Sequence, residues 1–200
     1  VRGIRVTGSE LVGMIPLQIM LDTGRYFLKK QHRSTGVSDE EIIKIAVKSL
    51  GLDDLAPFDP KKKIIEYQLK DHSEKRLVDM TLTEFANETA SESPAPGGGS
   101  VSACIGALGV SLGMMVANLS AHKRGWDDRW EEFSNLAETG KTLQEKLIKL
   151  IDEDTNAYKM VVNAYGLPRS TDAEKQFRNE SIQNAIKYAM ETPYKVMETA

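Results

Sequence analysis

The sequence of 200 residues predicts a mostly α-helical chain that begins with a small α/β segment. Three observations support this fold class. Beyond residue 80, apolar residues recur at intervals of three and four, which is the period of a helix with one buried face. Capping-box pairs and Gly or Pro residues mark where several of these helices begin and end. Apolar and polar residues alternate in Val1–Val6, which is typical of a β-strand.

Residues 1–70 form the predicted α/β segment and contain two helices after the strand. The first helix is expected to begin near Pro16, since proline is favoured in a first helical turn, and to run to about Lys30. The second begins at Ser38, which forms a capping box with the glutamate three residues on. It ends at Gly51, because glycine adopts the left-handed conformation that closes a helix.

A charged, aperiodic stretch over residues 71–79 predicts a linker, and residues 80–200 are then an all-α helical bundle. Thr81 and Thr171 each begin a helix with a capping box. Pro193 is expected to break or kink the last helix, because proline lacks a backbone donor and clashes with the preceding turn. The final residues are still helical in character, so we expect the bundle to be truncated at its carboxyl end.

Ser100 is predicted to cap a long helix whose large apolar residues form the buried stripe. Its small residues would let another helix approach closely. Val101–Ala121 has no charge and contains a GxxxG pair, but its serines, asparagine and glycines favour a buried helix of a soluble bundle over a membrane span. The predicted stripe comprises Val101, Cys104, Ile105, Leu108, Leu112, Met115, Val116 and Leu119.

The composition limits which binding partners and which cellular compartment the protein can have. A formal net charge of −3 argues against nucleic acid, because a backbone-binding surface needs clustered Lys and Arg. Cys104 is the only cysteine, so an intrachain disulfide is impossible and a reducing, cytoplasmic location is favoured. His32, His72 and His122 do not have the spacing of metal ligands, and we expect no metal.

The glycine-rich loop Ser93–Ser100 is the first candidate binding site. Its glycines allow backbone N–H groups to approach a ligand, and the helix that follows directs its positive dipole end to the same place. Such a loop suits a carboxylate or polar heterocycle atoms. The alternative is a tight bend that binds nothing.

A helical pattern from Asp128 to Tyr165 supplies the second candidate, Asp154. Asp154 lies three or four residues from apolar residues on both sides, so it should share their face of the helix and point into the bundle interior. Its neighbours Asp152 and Glu153 should meet water. A buried carboxylate is costly unless it is paired, so such positions are often functional. A structural ion pair is the equally weighted alternative.

Arg178 on the last helix is expected to face inward. It would pair with Asp154 or hold a substrate carboxylate. The alternative is a surface arginine whose stem packs on the helix.

Several stretches resemble one family of folate enzymes. Val6–Pro16, Gly24–Gln31 and Pro57–Tyr67 resemble the end of the glutamate formiminotransferase domain. Ser91–Val101 resembles the hallmark loop of the formiminotetrahydrofolate cyclodeaminase/cyclohydrolase family, and the acidic helix segment Asp152–Pro168 is similar to that family as well. The order of these parts is that of the bifunctional formimidoyltransferase-cyclodeaminases, and the resemblance covers nearly the whole chain.

The resemblance implies closure of 5-formiminotetrahydrofolate to 5,10-methenyltetrahydrofolate with release of ammonia. It also implies a polyglutamylated tetrahydrofolate substrate, no covalently bound cofactor, no metal, no membrane partner and a homo-oligomer. The transferase catalytic histidine belongs to an amino-terminal subdomain that these residues do not include, so we expect no transferase activity from them alone. Alternatives are a methenyltetrahydrofolate cyclohydrolase and a non-catalytic module for folate binding or oligomerisation.

The resemblance and the helix pattern together give the predicted site. Asp154 is assigned the proton transfer and Tyr158, one turn further, is assigned as its hydrogen-bond partner. The predicted folate-binding residues are Ser93, Pro96, Gly97, Gly98, Gly99, Ser100 and Arg178.

Overall fold

The computed structural model describes residues 9–69 and 76–200. The predicted mostly α fold is confirmed, and the β structure in the described ranges is one parallel bridge between Ile15 and Ile64. The predicted strand Val1–Val6 and the first part of the predicted linker lie outside the described residues. The helices are α1 (Leu17–Lys30), α2 (Asp39–Leu50), α3 (Pro60–Lys63), α4 (Ile65–Leu69), α5 (Leu82–Thr89), α6 (Gly98–Ala121), α7 (Trp130–Tyr165) and α8 (Asp172–Thr199).

Helices α1 and α2 begin and end where the sequence predicts. The Ser38 side chain accepts a hydrogen bond from the backbone of Glu41, and Gly51 closes α2 with a φ of 66°. The two helices pack through fully buried residues that include Met20 and Ile42. A Cβ on Gly24 would overlap the backbone of α2, so glycine is what allows this close approach.

The chain forms two compact units that are not consecutive in sequence. The first combines the described residues of 9–69 with Gly113–Lys141, and the second comprises 76–112 and Thr142–Ala200. The division therefore falls inside α6 and α7 rather than at a single point between helices. The domain boundaries that the sequence suggests stay a prediction.

A buried polar network joins the loop after α1 to the α6–α7 pair within the first unit. The Ser34 hydroxyl donates to the Asn118 side-chain oxygen at 2.6 Å, and the Asn118 amide donates to the carbonyl of Gly36 at 3.1 Å. The backbone N–H of Thr35 donates to the hydroxyl of Ser134 at 3.1 Å. Ser34, Thr35 and Ser134 are buried, so these bonds save the cost of unpaired polar atoms.

Helix α6 buries its small residues and exposes its large ones, so the predicted stripe is wrong. Ile105, Leu108 and Leu119 are each more than half exposed. The reason is the close packing that small side chains permit, since a Cβ on Gly106 would already lie 3.4 Å from Leu147. The buried positions of α6 are Ser100, Ala103, Ala107, Met114, Ala117 and Ala121.

The same helix has the length and composition of a membrane span. Its most apolar window has a mean hydropathy of 1.8, and 28% of that window is buried. Core helices of soluble proteins also meet this criterion. The expected absence of a membrane partner stays a prediction.

The part of α7 from Thr142 onward and helix α8 complete the second unit. Thr171 and Glu174 form the predicted capping box at the start of α8. The predicted break at Pro193 is wrong, because α8 continues to Thr199. Residues on both sides of the proline, Thr192 and Val196, are buried, and this packing holds the helix together across the missing donor. The core of the unit comprises Ala103, Ala107, Leu147, Leu150, Ile151 and Val196.

Candidate functional site

A groove of about 750 Å³ lies in the second unit beside the start of the glycine-rich loop. Its walls come from the turn before α5, the end of α5, the loop and one face of α7. The size suits a substrate of drug-like dimensions. The lining residues are Arg76, Leu77, Met80, Glu88, Ser93, Pro94, Ala95, Asp152, Thr155, Asn156, Tyr158, Lys159, Val162 and Asn163.

Helix α7 supplies half of the residues that line the groove, and four of these residues form one polar face. Asp152, Asn156, Lys159 and Asn163 follow one another at intervals of three and four, so their side chains share a face. The sequence contains this spacing, but the apolar face of the same helix gives the stronger periodic pattern. A regular polar face beside a glycine-rich loop is a signal that could have found these residues.

The start of α6 differs from the prediction. The helix begins at Gly98, so Ser100 lies inside its first turn and is not the capping residue. The buried Ser100 hydroxyl lies 2.8 Å from the carbonyl oxygen of Ile151 and donates to it, while its backbone N–H donates to Asp154 Oδ2 at 2.8 Å. Asp154 therefore caps α6 from the neighbouring helix, where a carboxylate is favoured by the positive end of the helix dipole.

The carboxyl group of Asp154 leaves no room for a side chain at Gly99. A Cβ at position 99 would overlap the carboxyl group of Asp154, whereas a Cβ at Gly98 would meet nothing within 4 Å. The Ser100 hydroxyl adds a second contact to Asp154 Oδ2, at 3.0 Å. The glycine and the aspartate thus form one closely packed unit that fixes the entry of α6.

The three consecutive acidic residues of α7 point in three directions. Asp154 faces α6, as predicted. Asp152 and Glu153 point elsewhere, as predicted, but both are half-buried and have protein partners as well. Asp152 Oδ1 accepts the backbone N–H of Leu77 at 2.8 Å, and Glu153 Oε1 accepts from Lys195 at 2.9 Å. Residues one apart on a helix are separated by about 100°, which accounts for the three directions.

The remaining predicted residues are spread over several places. Tyr158 lines the groove and is 44% exposed, but within the described ranges no hydrogen bond joins it to Asp154. Arg178 donates to the carbonyl of Tyr165 at 3.1 Å, so the predicted pairing with Asp154 is wrong. The free carbonyls at the end of α7 attract this guanidinium.

The predicted loop residues divide into two groups. Ser93 lines the groove, and its hydroxyl donates to the carbonyl of Ala95 at 2.7 Å. Pro96 is buried behind a cis peptide bond with Ala95. Gly97, Gly98, Gly99 and Ser100 build the start of α6 and are not among the lining residues of the groove.

The groove carries charges of both signs. Arg76 is held by a bidentate pair with Asp79, at 2.8 and 2.9 Å, and these hydrogen bonds raise the pKa of Arg76. Lys159 forms no ion pair within the described part of the chain. Asp152 and Glu88 are the acidic lining residues. Lys159 is therefore the groove cation that is available to an anionic ligand.

Two family profiles match the chain. Residues 81–200 match the profile described as Formiminotransferase-cyclodeaminase, and residues 1–70 match the Formiminotransferase domain. The chain is 36% identical over 195 residues to the formimidoyltransferase-cyclodeaminase of Rattus norvegicus, covering 97% of this chain and 36% of that protein. It therefore spans about a third of the length of this curated relative.

Two further similarities cover part of the chain. The methenyltetrahydrofolate cyclohydrolase of Methylorubrum extorquens is 37% identical over 113 residues, which is 56% of this chain and 54% of that protein. The crystal structure of formiminotetrahydrofolate cyclodeaminase from Thermotoga maritima superposes with a TM-score of 0.51 at 32% identity, covering 60% of this chain and 56% of that chain.

Proposed function

Because this chain belongs to the formiminotransferase-cyclodeaminase family, we propose that it carries the cyclodeaminase site of a bifunctional folate enzyme. The reaction is the closure of 5-formiminotetrahydrofolate to 5,10-methenyltetrahydrofolate with loss of ammonia. The whole polypeptide then also carries glutamate formiminotransferase activity. The groove on α7 carries this proposal, since it lies beside the family's glycine-rich loop and takes most of its lining from residues 81–200.

The reaction is intramolecular, so the protein mainly has to hold the folate in a bent conformation that brings N10 close to the amidine carbon. Holding two reacting groups in place in this way accounts for a large part of many enzymatic rate enhancements. The groove offers an apolar wall in Leu77, Met80 and Val162 and amides in Asn156 and Asn163. This combination suits the ring system of a pterin, which is flat and has polar edges.

Lys159 is the proposed partner for a carboxylate of the glutamate tail. It lines the groove and is not used in an ion pair with another described residue. A positive charge on the wall of the groove would orient the substrate by holding a carboxylate of its tail. A polyglutamylated tail offers further carboxylates to the same charge.

The experiment is a turnover assay with 5-formiminotetrahydrofolate, in which methenyl product and ammonia are measured separately. Equal amounts of the two products are expected. Binding of folate without either product would support the non-catalytic folate module instead. Lys159→Met should raise KM more than it lowers kcat, and Lys149→Met is the matched control on the same helix, away from the groove lining.

A methenyltetrahydrofolate cyclohydrolase is the second candidate. The similarity to the Methylorubrum enzyme favours it, because that protein matches 56% of this chain at much the same identity as the bifunctional relatives. Supplying methenyltetrahydrofolate and following its disappearance distinguishes the two reactions. Hydrolysis that is faster than ring closure would make the cyclohydrolase the correct assignment.

We also propose that the protein is a cytoplasmic homo-oligomer without nucleic-acid or membrane partners. The apolar face of α6 supports the assembly, since Leu108, Leu112 and Val116 are each at least 58% exposed and Gly109 has open space around it. Exposed apolar patches of this kind are typical of protein interfaces. Light scattering of the purified protein at several concentrations measures the assembly directly.

A further inference from the structure

Residues 76–80, the turn before α5, lie between the two family matches, which end at residue 70 and begin at residue 81. The sequence predicts most of this turn as linker. In the structure, Leu77–Asp79 is a single 3₁₀ turn. The groove beside α7 takes three of its lining residues from this segment, Arg76, Leu77 and Met80. One wall of the candidate site is therefore built from a segment that neither family match includes.

A hydrogen bond between the turn and α7 holds this wall in place. The backbone N–H of Leu77 donates to Asp152 Oδ1 at 2.8 Å. The side chains of Leu77 and Val78 pack against the buried core of the second unit. Arg76 and Asp79 pair within the turn through two hydrogen bonds and keep it closed on itself. The turn is thus docked on α7 through its centre, while its first residue continues into the predicted linker.

Leu77 and Met80 offer apolar surface to a ligand in the groove, because both line it and both are only partly buried. Covering such surface favours binding in proportion to the area removed from water. Tyr158 and Val162 line the same groove from α7. A flat ring system in the groove would therefore contact the turn and α7 together. A ligand of this kind binds the docked turn better than an undocked one, so it shifts the population towards the docked state.

Resting on the proposed cyclodeaminase function, we propose that residues 76–80 are a wall of the deaminase site that closes more tightly when folate binds. Leu77 and Met80 set the affinity for the ring system. Asp152 is a positioning residue, which acts on the substrate only through the N–H of Leu77. The end of the predicted linker is then more than a tether, because the site is complete only while this segment is docked on α7.

Hydrogen exchange of the full-length protein, with and without 5-formyltetrahydrofolate, tests the closure. This compound has an oxygen in place of the reacting nitrogen, so it binds without releasing ammonia. At one hundred times its dissociation constant, any opening that requires its release becomes about 100-fold rarer. Peptides covering residues 76–81 should therefore exchange at least about tenfold more slowly with the ligand. The exposed loop His122–Gly125 is the internal control and should exchange at the same rate in both samples.

Substitutions in the full-length protein separate the apolar contacts from the hydrogen bond. Met80→Ala should raise KM by about 3–30-fold and leave kcat unchanged, since it removes apolar contact that substrate and transition state share. Leu82→Ala is the matched control, because Leu82 is 76% exposed and does not line the groove. Leu77→Ala keeps the N–H that Asp152 accepts, whereas Leu77→Pro removes it. Arg76 has a φ of −85° and a ψ of 155°, which suits a residue before proline.

Leu77→Pro should have a KM at least about threefold above that of Leu77→Ala, because a smaller fraction of the turn is docked. It should also lose the ligand-dependent slowing of exchange. Equal KM values for these two variants overturn the role of Asp152, and a wild-type KM in Met80→Ala overturns the role of the wall. Met80→Ala leaves the backbone donors intact, so the test remains available if Leu77→Pro does not fold. Exchange in residues 76–81 that ignores a bound ligand overturns the closure. A wild-type protein that forms no methenyl product refutes the proposed function itself, which is a separate result.

Discussion

Replacing Gly99 by alanine should disturb the glycine-rich loop far more than the same change at Gly98. Both glycines lie in the first turn of α6, so their intrinsic helix preference is similar. Alanine at Gly98 meets open space and should stabilise the protein by about 0.4–1 kcal/mol through the unfolded chain. Alanine at Gly99 makes the same gain but must displace the carboxyl group of Asp154.

The cost of that displacement has two parts. Overpacking typically costs about 1–3 kcal/mol, and hydrogen bonds to a charged group contribute about 1.5–3 kcal/mol. Asp154 is half-exposed, so the lower end of the second range applies. We therefore expect Gly99→Ala to lower the free energy of unfolding by about 2–3 kcal/mol, which corresponds to a decrease of roughly 4–12 °C in Tm for a chain of this length.

Urea unfolding followed by circular dichroism measures the difference between the two variants. The double variant Gly99→Ala/Asp154→Ala provides the internal check, because removal of the carboxyl group also removes the overlap. Its stability should exceed that of Asp154→Ala by about 0.4–1 kcal/mol, because the gain from alanine at position 99 is then no longer offset. The packing between Gly99 and Asp154 would be refuted if Gly98→Ala and Gly99→Ala had the same unfolding midpoint.

Three further changes test other parts of the structure. Gly36→Ala should cost about 1–3 kcal/mol in urea unfolding, since its Cβ would overlap the backbone of α7, whereas Gly109→Ala should be neutral or stabilising. Hydrogen bonds from the backbone of Thr171 and of the residue before it lower the pKa of Glu174. The resulting stabilisation is complete above the unfolded-state pKa of about 4.3 and is lost as the pH falls through the lower folded-state pKa. Glu174→Gln should remove this part of the acid dependence, and an unchanged dependence would contradict the capping box. Leu112→Glu on the exposed face of α6 should reduce the mass measured by light scattering while helical content stays constant, and an unchanged mass would exclude this face from the assembly.

The boundaries of the helices were the most predictable part of the fold. The caps at Ser38, Thr81 and Thr171 and the end at Gly51 depend on local chemistry within about one turn, and the structure has each of them. The break expected at Pro193 is absent because tertiary packing holds α8 on both sides of the proline, and the local cost of a proline does not include that packing.

The orientation of α6 was not predictable from hydrophobicity. Large and small apolar residues alternate around this helix, so almost any face could have been the buried one. Burial by size favours Leu108 and Leu112, whereas close packing favours Ala103 and Ala107, and the structure has the second solution. A choice of this kind depends on the neighbouring helix, which a single sequence does not specify.

The site was partly predictable. The loop, α7 and the inward direction of Asp154 followed from the motif and the apolar spacing. The groove residues Asp152 and Lys159 did not follow, because polar residues beside an apolar stripe are usually solvated. These two residues line the groove only because the turn before α5 packs against α7. In that turn the backbone N–H of Leu77 donates a hydrogen bond to Asp152, which is 75 residues later in the sequence.

The cap of α6 also has a consequence for the order of folding. The group that satisfies the Ser100 N–H lies 54 residues later in the chain, so the first turn of α6 lacks this partner until α7 has been made and has docked. During synthesis on a ribosome, the glycine-rich segment would emerge with its amides still hydrated. Closing a loop of that length costs entropy before the contact can form. The loop should therefore acquire its final shape late, and substitutions at Asp154 should mainly accelerate unfolding rather than slow folding.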